Sequence, residues 1–184
     1  MLPEIERAMA ALPTLETDRL LLRAPALADL DAWAAFVADP VVGEFLGGVH
    51  DRVTAYRQLT SVEGAWIVLG FSMFSVLEKS SGAWVGRVGP WMPDGWPGTE
   101  VGWGIAREAW GKGYASEAAR ACIDFAFERL GWSEVIHCIS PKNERSQGVA
   151  KRVGSKLRGP GQLPPPFHEE PIMLWGQTRE AWRA

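Results

Sequence analysis

Apolar and polar positions follow two rhythms along this chain, and the sharpest switch between them falls within residues 100–130. Val101 to Ile105 is an apolar run of strand length. From Tyr114 onward, Ala115, Ala118, Ala119, Cys122, Ile123, Ala126 and Leu130 recur at helical spacing. Glu117, Arg120, Asp124 and Glu128 lie off that stripe, and Gly131 stands where a glycine commonly ends a helix. Between strand and helix sits a turn with two glycines, Gly111 and Gly113, around Lys112.

The same reading extends in both directions. Upstream, Leu20 to Leu22 is a short strand between charges. Leu27 to Ala38 is a helix with Asp29 and Asp31 in its first turn, ended by Asp39-Pro40. Phe45 to Val49 is a glycine-rich loop, and Arg52 to Glu63 a second helix. Ala65 to Glu78 and Ala83 to Met92, rich in β-branched and aromatic residues, predict two strands joined as a hairpin through Lys79–Gly82. Pro93 to Gly98 is a loop, and Thr99 to Ala106 is the strand that enters the glycine turn. Downstream, Glu134 to Ser140 is a strand, and a strand–helix–strand crossover places it parallel to Val101–Ile105. A helix follows Asn143 and ends at Gly154. Five prolines between Pro160 and Pro171 predict a long loop, and Ile172 to Gly176 a last strand. The order predicts an α+β fold, a mixed and mostly antiparallel sheet flanked by helices. Residues 1–184 form one domain, with residues 1–13 as an N-terminal arm.

The glycine turn is the first candidate for chemistry. A helix begins with N–H groups that lack intrahelical partners, its dipole adds positive charge there, and preceding glycines let a phosphate approach the main chain. Two phosphate motifs are excluded. Gly113 follows Lys112 where a Walker-type loop has Ser or Thr, and Ser116 stands where a dinucleotide fingerprint has its third glycine. A nicotinamide oxidoreductase is therefore disfavoured.

The run Trp110-Gly111-Lys112-Gly113-Tyr114-Ala115, with Ser116-Glu117-Ala118 after it, resembles motif A of the GNAT superfamily of N-acetyltransferases, most closely its RimJ/RimL branch. Thr17-Asp18-Arg19-Leu20 with Arg23, the segment opening at Asn143, and the closing Thr178–Trp182 resemble the same branch. Two positions depart from the pattern. Glu108 stands where the superfamily has Gln or Arg, and Ala150 where many members have the tyrosine that protonates the departing thiolate.

The resemblance implies a GNAT fold with a splayed pair of parallel strands, and acetyl-CoA as donor to a primary amine of a protein N-terminus or small molecule. It implies that Trp103, Gly104 and Ile105 bond pantetheine through their main chain, that the amides of Trp110, Gly111, Lys112, Gly113, Tyr114 and Ala115 hold the pyrophosphate, and that Asn143 bonds the pantetheine arm. Glu100, opening the strand, is the first candidate for the base, or else an ordinary strand-end carboxylate. His168, Glu169 and Glu170 are the second. Ser146 is a candidate acid or a helix cap. Trp33, Phe36, Phe45 and Tyr56 line the acceptor side or pack in core and loops. His137, mid-strand, fits a satisfied core histidine.

No cluster of Cys, His and Asp has metal-ligand spacing and no nucleophilic serine motif occurs, so direct transfer without metal or acyl-enzyme is expected. The alternative is a catalytically idle acyl-CoA-binding sensor, motivated by Ala150. A net charge of −3 gives no reason to expect nucleic acid or an anionic membrane. Cys122 and Cys138, the only cysteines, make no disulfide framework. The opening segment, with Glu4 and Glu6 and no long apolar run, does not read as a signal peptide, and a cytoplasmic protein is expected. A homodimer stays open.

Overall fold

A computed structural model describes residues 11–183. Of the arm expected over Met1 to Pro13, residues 1–10 lie outside the described residues. Eight strands form one open sheet: β1 (Leu15–Glu16), β2 (Leu20–Arg23), β3 (Phe74–Glu78), β4 (Trp84–Trp91), β5 (Glu100–Ile105), β6 (Glu134–Ile139), β7 (Lys156–Gly161) and β8 (Ile172–Thr178). Their order is β1-β2-β3-β4-β5-β6-β8-β7. Every pair is antiparallel except β5–β6. The helices are α1 (Leu30–Ala38), α2 (Pro40–Gly43), α3 (Arg52–Val68), α4 (Tyr114–Glu128), α5 (Glu144–Arg152) and α6 (Arg179–Arg183).

The two sheet faces carry different cores. On one, α4 buries Ala118, Ala119, Cys122, Ile123 and Ala126, most of the stripe read from the sequence, against Leu20, Leu22, Val88 and Val101. Leu130 lies just beyond its end, and Gly131 takes φ +71° there. On the other face, α1 and α3 bury Trp33, Phe36, Val37, Ala55, Leu59 and Val62 together with Met73.

Three features of the fold differ from the sequence reading or add to it. The strand expected over Ala65–Glu78 is divided: α3 runs on to Val68, and β3 starts only at Phe74. Ala55, Leu59, Val62 and Trp66 continue one helical stripe, and Gly70 at φ +77° ends it. Second, Pro40 opens a helical turn. Asp39 accepts from the N–H groups of Val41 at 2.8 Å and Val42 at 3.4 Å, with proline at the position where a missing N–H costs nothing. Third, the proline-rich stretch begins inside a strand: β7 includes Pro160, tolerated because β7 is the sheet's edge.

Trp66 joins the elements that the divided segment separates. Its ring packs on Phe74 at 4.7 Å between centroids, and its indole donates to the Met73 carbonyl at 3.1 Å. Trp66→Ala leaves a large cavity and an unpartnered carbonyl. It is expected to cost about 3–5 kcal/mol, read as a shifted denaturant midpoint.

Candidate active site

The parallel pair β5–β6 holds together at one place only. Glu100 is registered with Ile136, and Ile136 N–H donates to the Thr99 carbonyl at 2.9 Å. One step further the ladder is replaced by side chains. Cys138 N–H donates to Glu100 Oε1 at 2.9 Å, and the Val101 carbonyl meets His137 Nδ1 at 2.7 Å. Beyond that the strands part.

Ala106 N–H donates to the Val85 carbonyl at 2.9 Å, which sets the phase of the β4–β5 ladder. Antiparallel alternation then turns the main-chain groups of Gly104 and Gly102 toward β4, and those of Val101, Trp103 and Ile105 toward the gap. The Ile105 carbonyl is taken by the Trp110 indole at 2.6 Å. Both main-chain groups of Trp103 and the Ile105 N–H are left facing the gap. Gly104, expected to bond pantetheine, has its main chain committed to Arg87 instead. Its lack of a side chain is what counts, since a Cβ there would stand 2.8 Å from Phe36 Cζ.

At the end of the gap the glycine turn leads into α4. Gly111 and Gly113 have φ +77° and +82°, a conformation that glycine adopts without penalty. Among the described residues, no acceptor meets the N–H groups of Gly111, Lys112, Gly113, Tyr114, Ala115 or Ser116. Trp110 differs from expectation: its N–H donates to the Arg107 carbonyl at 3.1 Å and is spent. The turn is braced from β2. Arg19 bonds Glu117 Oε2 through Nε at 2.7 Å and the Lys112 carbonyl through Nη1 at 2.9 Å, while Thr17 donates to Glu117 Oε1 at 2.5 Å. The Thr17–Arg19 phrase is therefore a buttress for the turn. Arg23 of the same phrase pairs bidentately with Asp29, at 2.6 and 2.9 Å. Lys112 has its ammonium 3.7 Å from Glu78, and Tyr114 donates its hydroxyl to Glu78.

Across the gap, Asn143 caps α5, its Oδ1 accepting from Ser146 N–H at 3.0 Å. Ser146 is thus the capped residue, and its Oγ accepts from the Trp103 indole at 3.2 Å, which leaves its O–H free to donate. Ala150 is fully buried with Ile139 and Trp175, so no side chain reaches the gap from that position. Glu108 is exposed in the turn that precedes Trp110.

One cleft of about 1350 Å³ joins the gap, the glycine turn and the space between the sheet and α2–α3. Glu100 lines it, 6% exposed, with Trp96 Nε1 donating to its Oε2 at 2.5 Å. Burial pushes its pKa up to about 7, although the hydrogen bonds from Cys138 and Trp96 pull the other way. His137 behaves as a core histidine: held between the Val101 carbonyl and Ser155 Oγ, it is lowered by burial to about 4.

The acceptor-side expectations divide. Phe45 lines the cleft, Trp33 and Phe36 are core, and Tyr56 is exposed away from it. From the proline loop, Leu163, Pro164, Pro165 and Phe167 line the cleft, whereas His168, Glu169 and Glu170 are exposed outside it. Sequence reasoning missed His50, Arg57, Gln58, Arg87, Asp94 and Trp96, which also line it. His50, Asp94 and Trp96 lie in or beside predicted loops, whereas Arg57, Gln58 and Arg87 sit inside a helix and a strand, where nothing local in the sequence pointed to them. Among the described residues no His/Cys/Asp/Glu group could hold a metal, and no helix is long and apolar enough to cross a membrane.

Residues 19–156 match the family model described as Acetyltransferase (GNAT) domain. An uncharacterized N-acetyltransferase p20 of Bacillus licheniformis is 31% identical over 142 residues, 72% of this chain and 76% of that protein. The crystal structure of an acetyltransferase from Agrobacterium tumefaciens superposes with a TM-score of 0.81 at 30% identity, covering 92% of this chain and 96% of the other. Mycobacterium smegmatis RimJ, solved in complex with CoA-disulfide, shares the fold at 19% identity and TM-score 0.76, over 92% and 89% of the two chains.

Proposed function

The chain belongs to the GNAT acetyltransferase family, and from that premise we propose that it transfers an acetyl group from acetyl-CoA directly to a primary amine, with no acyl-enzyme. The reading is carried by the row of N–H groups without acceptors, Gly111 to Ser116, at the mouth of a gap between parted parallel strands. Six such donors beside a helix N-terminus suit a diphosphate, and the free edge of Trp103 and Ile105 suits an amide-bearing arm lying like a missing strand. The free amide –NH2 of Asn143 adds a donor on the far side, since its oxygen is occupied by the cap.

Glu100 takes the proton of the attacking amine. An alkyl ammonium has a pKa near ~10.4, so at neutral pH a base at about 7 is well placed to help form the nucleophile. As the C–N bond forms and the C–S bond breaks, the carbonyl oxygen gains charge, and main-chain N–H groups on β5 are the donors available to it. The thiolate that leaves takes a proton through the Ser146 hydroxyl, which regains one from solvent water in the open cleft. Ser146 fills the role that buried Ala150 leaves open.

Calorimetric titration with acetyl-CoA tests the reading. Saturable heat and a raised melting temperature are expected; neither heat nor shift at millimolar ligand overturns it. Thiol release in the presence of amines then separates an enzyme from an idle acyl-CoA-binding domain.

A further inference from the structure

Arg87 is out of place by ordinary rules. It sits mid-strand on β4, half-buried, and lines the cleft. Among the described residues its guanidinium has no hydrogen-bond acceptor and no carboxylate within salt-bridge distance. Its nearest company is the face of Trp33, 5.2 Å from the ring centroid. Burial lowers its pKa to about 10, which leaves it charged at neutral pH. A guanidinium partly withdrawn from water at the wall of a cleft gains from an anion, and a nearby arginine shows the pairing: Arg23 is paired bidentately with buried Asp29. Arg87 has the same planar fork and nothing in it.

The surroundings say what the fork faces. Arg87 is registered with Gly104, and Trp91 with Glu100, so all four share the sheet face that looks toward α1 and α3. Arg87 and Glu100 are four strand positions apart, roughly 13 Å along the backbone. Both side chains line one cleft, and the positions between them on that face are Gly89 and Gly102, which add no side chain. At the Arg87 end, α3 adds Gln58, which meets the same Trp33, and Arg57, exposed next to it in sequence, also lines the cleft. Gln58 turns its oxygen to the Trp33 indole at 3.5 Å, which leaves its –NH2 without an acceptor. At the Glu100 end the loop before β5 adds Asp94. This face of the cleft therefore carries a carboxyl group at one end and a guanidinium at the other, with glycines and apolar side chains such as Met73 and Phe45 around the space between.

We propose that the acceptor is a small amino-carboxylate, an amino acid or short peptide, whose carboxylate is bound by Arg87 with Gln58 and Arg57 while its amine lies at Glu100. The proposal rests on the acetyltransferase reading above and narrows its substrate. A planar guanidinium matches a carboxylate by two parallel N–H···O bonds, and the ligand's charge completes the pair that the fold leaves open. A polyamine or an aminoglycoside, carrying only positive charge, would meet repulsion at that end.

The test compares matched acceptors. Thiol release from acetyl-CoA is measured with the α-amino acids, γ-aminobutyrate and a set of dipeptides, each against its own amide, which keeps the amine and removes the carboxylate. At least one acid is expected to exceed its amide about 10- to 100-fold in kcat/KM, the worth of a charged hydrogen-bonded pair. Arg87→Met is expected to bring that ratio close to one, chiefly through KM. Equal rates for acids and amides, or a ratio that survives Arg87→Met, overturns the proposal. Turnover of polyamines alone, or of no acid while acetyl-CoA binds, also overturns it and leaves acetyl-CoA binding standing. Failure to bind acetyl-CoA removes the functional reading itself. If Arg87→Met does not fold, the acid-to-amide ratio of the unaltered protein decides alone.

Discussion

Gly113→Glu is expected to abolish acetyl-CoA binding while leaving a folded protein. Gly113 has φ +82°, where a residue with a Cβ is strained by about 1–2 kcal/mol. That is a modest fraction of the stability of an ordinary domain, so folding survives. The site does not. Gly113 is the N-cap of α4, and its own N–H is among the donors without acceptors. A carboxylate there lies where the ligand's diphosphate must lie, and like charges a few ångströms apart repel strongly in a partly closed cleft. Among the described residues the only close side chain is the Arg19 guanidinium, 3.5 Å from where the Cβ would be, and it is already bonded to Glu117 and the Lys112 carbonyl. Calorimetry should show no saturable heat. Gly113→Ala separates strain from charge: it keeps the backbone penalty without the carboxylate and is expected to weaken binding only about tenfold, the equivalent of ~1.4 kcal/mol. Equal affinity in Gly113→Glu and the unaltered protein would remove the diphosphate from this turn.

What was legible in the sequence follows from what local chemistry dictates. The apolar stripe of α4 and the glycines of the turn could be read because one needs periodicity and the other a left-handed backbone, and both are properties of a few adjacent residues. The division at Trp66 could not. The end of α3 and the start of β3 are both apolar, and the division rests on the left-handed turn at Gly70 and on the tertiary bond from Trp66 to the Met73 carbonyl. β7 escaped because its residues are exposed and include a proline, which is permitted only when the strand turns out to be an edge. Arg87 escaped for another reason. A single arginine in an apolar strand looks like an outward-facing charge, and its meaning appears only when Trp33 and Glu100 arrive on the same face from distant positions. The motif at Thr17–Arg23 illustrates the converse: it was seen, but its use as a brace for the glycine turn and for Asp29 is a tertiary fact.

Glu100→Gln is expected to lower kcat by about 10²- to 10⁴-fold with acetyl-CoA affinity unchanged. The amide is close in shape. Its oxygen can still accept from Cys138 N–H, while its –NH2 opposes the Trp96 indole, so one hydrogen bond is kept and one lost. Because Glu100 titrates near 7, the unaltered enzyme should gain rate as pH rises through about 7, and the variant should show only the ionisation of the acceptor amine. An inflection near 7 that persists in Glu100→Gln would assign the base elsewhere. Stability gives a second readout, with a sign that can be worked out. Glu100 is raised from 4.5 to about 7 on folding, so the folded state binds more protons in that window, and this group's contribution, about 3 kcal/mol, is present below pH 4.5 and lost as pH rises through 7. His137 is lowered from 6.5 to about 4, so its contribution, again about 3 kcal/mol, is present above pH 6.5 and lost as pH falls through 4. The two slopes oppose each other between pH 4.5 and 6.5 and largely cancel in the unaltered protein, leaving the acid loss from the carboxylates that folding lowers, Asp29, Asp51, Glu78, Glu117, Glu128 and Glu180, which sets in toward the lower end of that range. Glu100→Gln removes one slope and exposes the other: its unfolding free energy, measured with denaturant, should fall steadily as pH drops from 6.5 toward 4. A flat profile in the variant would mean that folding does not hold His137 neutral, whereas the same steady fall already present in the unaltered protein would mean that the Glu100 carboxyl is ionised in the folded protein well below neutrality, and so cannot be the base that titrates near 7.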